Sequence, residues 1–126
     1  MRLYDLPGAA IDRFESVGVT MDFLPDAVSA EAGEATSVRV AHLAAGGTLG
    51  RHPAVRRQVF AVVTGRARVA ADDGTPVDLG AGECAVWEPG EQHQTWAVTD
   101  VVAVLVETGG DVVATPHHRP LPAAPA

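Results

Sequence analysis

Apolar residues recur in short runs along this chain, and glycine, aspartate or proline closes each run. Ser37 to Leu43 alternates, with Val38 and Val40 on one face, and Gly46-Gly47 interrupts it. Gln58 to Val63 is almost continuously apolar and stops at Thr64-Gly65; Arg66 to Ala71 resumes as a second strand. Asp72-Asp73-Gly74 is a hairpin signal, because the turn needs a residue tolerant of positive φ. Val77 to Leu79 and Glu83 to Trp87 read as short strands, and Gln94 to Val98 is expected to pair with Val101 to Glu107 across Thr99-Asp100. Strand-length runs spaced about eight to twelve residues apart define an all-β sandwich or barrel. Phe14 to Leu24 alternates weakly and is expected to add an edge strand. Pro25 to Ala35 lacks an apolar stripe and reads as loop or one helical turn. The expected organisation is an N-terminal arm or edge strand over 1–36, a barrel over 37–115, and a flexible tail over 116–126 with four prolines.

Composition narrows the function classes. The chain has 126 residues, which suits one domain, and is 47% hydrophobic, which argues against disorder. Its net charge is -7, with nine arginines and no lysine, so nucleic acid and membrane surfaces are not expected partners. No apolar run reaches the roughly eighteen residues of a membrane-spanning helix. Pro7-Gly8 interrupts the N-terminus before a signal-peptide core forms, so a cytoplasmic location is expected. The absence of lysine and asparagine points to a GC-rich bacterial genome. Cys84 is the single cysteine, which leaves no intrachain disulfide; its expected place is as a small buried apolar residue in a strand.

Two spaced motifs carry the candidate chemistry. Gly46, five residues, His52-Pro53-Ala54, three residues, Gln58, six residues and Gly65 form the first. Gly82, five residues, Glu88-Pro89-Gly90, two residues, His93, three residues and Ala97 form the second. In order and joined by strand and turn signals, they resemble the two motifs of the cupin superfamily. The resemblance spans roughly Val38 to Glu107. It implies a cupin-type double-stranded β-helix, an antiparallel jelly-roll barrel with a short N-terminal arm and a Pro-rich C-terminal tail.

The resemblance also implies a metal site of three histidines and a glutamate, and here this chain departs from it. Ala54 stands at one histidine position and Gln58 at the glutamate. His52, Gln58 and His93 would remain as ligands for a divalent transition metal such as Zn, Ni, Fe or Mn, without a carboxylate among them. For Gln58 the alternative is a buried amide hydrogen-bonded to His52 or His93. Strand alternation places Phe60 and Val62 beside Gln58, and Thr95 and Ala97 beside His93, in a mostly apolar pocket. Glu88 lies on the turn before His93 and faces either the pocket mouth or solvent. Arg51, Arg56 and Arg57 surround the first motif and could attract an anionic ligand. Trp96 has the opposite parity to His93 and is expected between sheets or at a dimer interface. His42 shares a face with Val38 and Val40 and reads as a core histidine; His117 and His118 read as exposed.

The expected function is small-molecule binding in a barrel with a reduced metal site. Two enzymatic alternatives remain: a metal-dependent dioxygenase, isomerase or lyase using His52, Gln58 and His93, and a metal-free epimerase or cyclase using a histidine base. A sensing module of a regulator is a fourth reading. A homodimer with exchanged edge strands is the expected assembly.

Overall fold

The computed structural model describes residues 1–29 and 34–122. The elements are β1 (Ala9–Ala10), a 3-10 turn (Arg13–Glu15), β2 (Val17–Phe23), β3 (Ala27–Val28), β4 (Ala35–Pro53), β5 (Arg57–Thr64), β6 (Arg66–Ala70), β7 (Val77–Gly80), β8 (Cys84–Trp87), β9 (Gln92–Ala97) and β10 (Val101–Thr108). Every strand pairing is antiparallel, and the main path runs β7-β6-β9-β4-β10-β5-β8, with β2 also on β4. The strands wrap into a nearly closed barrel. The alternating runs thus form an all-β antiparallel barrel, as the sequence implied.

Strand β4 organises the barrel. Gly46-Gly47 does not end it, contrary to the expectation from glycine alone. Gly46 bends the strand at φ 82°, and the chain continues to Pro53. Before the bend β4 pairs with β10, from Ser37↔Glu107 to Leu43↔Val101; after it, β4 pairs with β9, including His52↔His93. One long strand therefore serves both halves of the barrel and delivers His52 opposite His93.

Two other expectations change. Gln94–Val98 and Val101–Glu107 were to pair with each other. Instead β9 pairs with β4 and β6, while β10 pairs with β4 and β5. Thr99-Asp100 carries the chain from one side of β4 to the other: the Val98 N–H donates to the Arg66 carbonyl, and Asp100 accepts from the Ala45 N–H. Gly65 lies under this crossing at φ 90°, where a Cβ would stand 2.0 Å from the Asp100 carbonyl oxygen. The face of β4 also reverses. Ser37, Ala41 and Leu43 are buried, whereas Val38 and Val40 turn to the partly exposed side. His42, on that outer face, is no core histidine; it is exposed and pairs with Asp22 at 2.9 Å.

The β6–β7 hairpin forms at Asp72-Asp73-Gly74 as expected, with Gly74 at φ 74°. β2 lies along β4 of its own chain, from Val17↔Thr48 to Phe23↔Arg39. Of the stretch 25–35, residues 30–33 lie outside the described residues, as do residues 123–126 of the expected tail; the described remainder contains β3, paired with Ala35 and Thr36.

The core is apolar and continuous. Phe60, Ala41 and Ala103 are fully buried, with Leu43, Val62, Leu79, Trp87 and Leu105 around them. Cys84 is exposed rather than buried, because the inward position of β8 goes to Trp87 and the strand's alternation turns Cys84 out. The native protein should therefore react stoichiometrically with a thiol reagent without denaturant. A thiol titrating only after unfolding would contradict this placement.

Candidate functional site

The two histidines meet because β4 and β9 run antiparallel in register at His52 and His93. Their ring centroids are 4.2 Å apart, tilted by 57°. Each Nδ1 faces a backbone carbonyl two residues back, His52 that of Gly50 at 2.6 Å and His93 that of Glu91 at 3.4 Å. A carbonyl only accepts, so each Nδ1 carries a proton, and the neutral ring of His93 presents its lone pair at Nε2. The Nε2 of His93 is buried and has no hydrogen-bond partner. Trp87 stacks on that ring at 4.7 Å. The His93 pKa is lowered to about 4, chiefly by burial and secondarily by repulsion from a charged His52, with the Glu91 carbonyl opposing the shift. His93 is thus a neutral base at ordinary pH.

His52 and His93 line a cavity of about 170 Å³. His52, His93, Gln58 and Thr95 form its polar wall, and Ile11, Met21, Leu49 and Leu105 its apolar lining. Arg39 and Glu107 add a charged edge, paired at 2.8 Å. Gln58 is buried, and among the described residues no hydrogen bond joins it to either histidine. Its amide faces the cavity without bridging the pair.

The mouth is closed in part by the turn Arg13–Glu15. Phe14 stacks on His52 at 4.2 Å with nearly parallel planes, 6° apart. Phe14 and Glu15 adopt φ 56° and 59°, a left-handed conformation unusual for side chains of this size. The turn is seated by Gly50, whose N–H donates to the Ser16 hydroxyl at 3.0 Å, and whose missing side chain leaves room for the Phe14 carbonyl.

The other sequence candidates sit elsewhere. Phe60 and Val62 point inward, as alternation implied, but are packed in the core and do not line the cavity. Ala97 is likewise a core residue. Glu88 is exposed and held by Arg57 at 2.7 Å. The three arginines of the first motif are occupied by structure. Arg51 donates to the carbonyls of Ala71 and Asp72, Arg56 to the Ala35 carbonyl and Ser37 hydroxyl, and Arg57 to Glu88 and the Gly110 carbonyl. Trp96 is partly buried on the face opposite His93. Ala54 is buried, and its backbone exchanges hydrogen bonds with Gly90 and Glu91, which anchor the turn before His93.

Sequence reasoning missed Arg39, Glu107 and Phe14. Arg39 follows from the parity of Ala41 and Leu43 once those, rather than the valines, are taken as the inner face. Phe14 carries no such signal, since its contact with His52 depends on the left-handed turn.

A cupin-domain family profile matches residues 39–109. The chain belongs to the cupin family. Solved structures share the fold at low identity. An RmlC-like cupin from Shewanella frigidimarina is 18% identical, with 83% of this chain and 85% of that one covered and a TM-score of 0.68. A predicted oxalate decarboxylase from Thermotoga maritima is 20% identical (82% and 93% covered, TM-score 0.67), and KdgF from a Halomonas species is 15% identical (83% and 87% covered, TM-score 0.67). Their descriptions differ in activity, and such likeness carries the fold alone. A comparison with curated proteins finds no match.

Among the described residues, no group of three or more His, Cys, Asp or Glu side chains could hold a metal ion. The donors at the cavity are two imidazoles and one neutral amide, and Glu107 is engaged by Arg39. No helix of the described residues is long and apolar enough to cross a membrane.

Proposed function

We propose that this cupin binds a small organic molecule in the cavity between His52, His93 and Arg39, and that it holds no resident metal. The observation that carries the reading is the Nε2 of His93, buried, unpartnered and on the wall of an apolar cavity. A buried polar atom without a partner costs stability unless a ligand supplies one. A resident divalent ion fits this donor set poorly. Orientation of both histidines through Nδ1 suits metal ligation, but Ala54 provides no donor and Gln58 no charge.

A thermal-shift survey of small organic molecules tests the binding role. Ligands of the native state raise the melting temperature with concentration, and the shift should shrink in His93→Gln. Metal analysis of protein purified without chelator should give well under one equivalent of Zn, Ni, Fe or Mn. One equivalent of any of these, lost on His93→Gln substitution, would favour the metal-dependent reading instead.

A further inference from the structure

We infer that the ligand of this cavity is a small hydroxy carboxylate, held through its carboxylate by Arg39 and through its hydroxyl by His93. The inference rests on the proposed reading of the cavity and adds the chemical class of its occupant.

Arg39 provides the first observation. Its Nη1 donates to Glu107 Oε1 at 2.8 Å, yet its Nε is buried without a hydrogen-bond partner. The guanidinium lies over the Phe23 ring at 5.1 Å, which fixes its plane. Nε and Nη2 form one edge of that plane, a fork that matches the two oxygens of a carboxylate. Glu107 leaves this edge free. Arg13 also lines the cavity, so the arginines and glutamate there sum to two positive charges against one negative. That balance accommodates a monoanion.

His93 provides the second observation. Its Nε2 is a lone pair and needs a donor, which an ionised carboxylate lacks and a hydroxyl has. His93 is 3% exposed, so the demand is not met by bulk solvent. Met21, Leu49 and Leu105 leave an apolar volume for the remainder of the molecule.

The test is a nuclear magnetic resonance titration of the full chain with glycolate, lactate and mandelate, following the Arg39 Nε–H and His93 Nε2 signals. At least one acid should shift both signals saturably. Its amide, which lacks the charge, should bind about tenfold more weakly, as should the acid without the hydroxyl, phenylacetate in the case of mandelate. Arg39→Lys keeps the charge but loses the fork, so the advantage of acid over amide should fall about tenfold. Should that variant unfold, Glu107→Gln removes a competing anion and should tighten binding of the acid. Amides binding as well as acids would overturn the ligand class and leave the cavity reading intact. No shift of either signal by any of these compounds would overturn the ligand class, while the thermal-shift survey separately decides the cavity reading.

Discussion

Substituting Gly50 by alanine is expected to destabilise the protein by about 3 kcal/mol or more, or else to release the turn that caps the cavity. An added Cβ would stand 1.5 Å from the Phe14 carbonyl oxygen and 2.7 Å from its carbonyl carbon. These are backbone atoms, so no side-chain rotation relieves the overlap. Either β4 moves, which disturbs the pairing that carries His52, or Arg13–Glu15 lifts away. Lifting breaks the Phe14–His52 stack and the hydrogen bond from Gly50 to Ser16. It also relaxes two left-handed residues, which reduces the net cost of that route. Chemical denaturation measures the first outcome, and the ring-current shift of the His52 protons reports the second. An unchanged midpoint together with an unchanged His52 spectrum would contradict the packing described for this turn.

Acid should destabilise the fold through His93. Its pKa is about 4 in the folded chain against an ordinary value of 6.5, burial being the main cause. The unfolded chain therefore binds more protons between those values. The contribution of His93 is fully present above about pH 6.5 and is lost as pH falls through that window toward 4. The gap corresponds to about 3 kcal/mol. Carboxylates titrate at the lower end of the same range, so the comparison is with His93→Gln, measured by urea denaturation at pH 7 and pH 4.5. The variant should lose most of the difference in pH dependence below 6.5. Parallel profiles for the two proteins would mean that His93 is accessible to protons in the native state.

The fold was legible because its signals are local and redundant. Glycine turns, alternating runs and the two motif spacings each imply the same barrel, and Gly65, Gly74, Gly82 and Gly90 take the positive φ values that such turns need. The pairing of His52 with His93 follows from the same spacings. Less legible was anything that depends on which face of a strand turns inward. Ser37-Val38-Arg39-Val40-Ala41 has valines on one parity and small or charged residues on the other, and hydropathy favours the valines. The barrel interior instead accepts Ala41 and Leu43, which brings Arg39 into the cavity. Partner choice was equally hidden. Val98 to Val101 resembles a hairpin in sequence, but Gly65 and Arg66 receive the turn, and β10 continues on the other side of β4 from β9. The arginines Arg51, Arg56 and Arg57 are adjacent to the motif, yet each finds backbone carbonyls before it can reach the cavity.

Electron density between His52, His93 and Arg39, from crystals of protein purified without chelator and soaked with the tightest ligand found by titration, tests the central claim most directly. The expected result is an organic molecule within hydrogen-bond distance of His93 Nε2 and no anomalous signal from a transition metal. A strong anomalous peak bridging the two histidines, or the ligand bound outside the barrel, would contradict it.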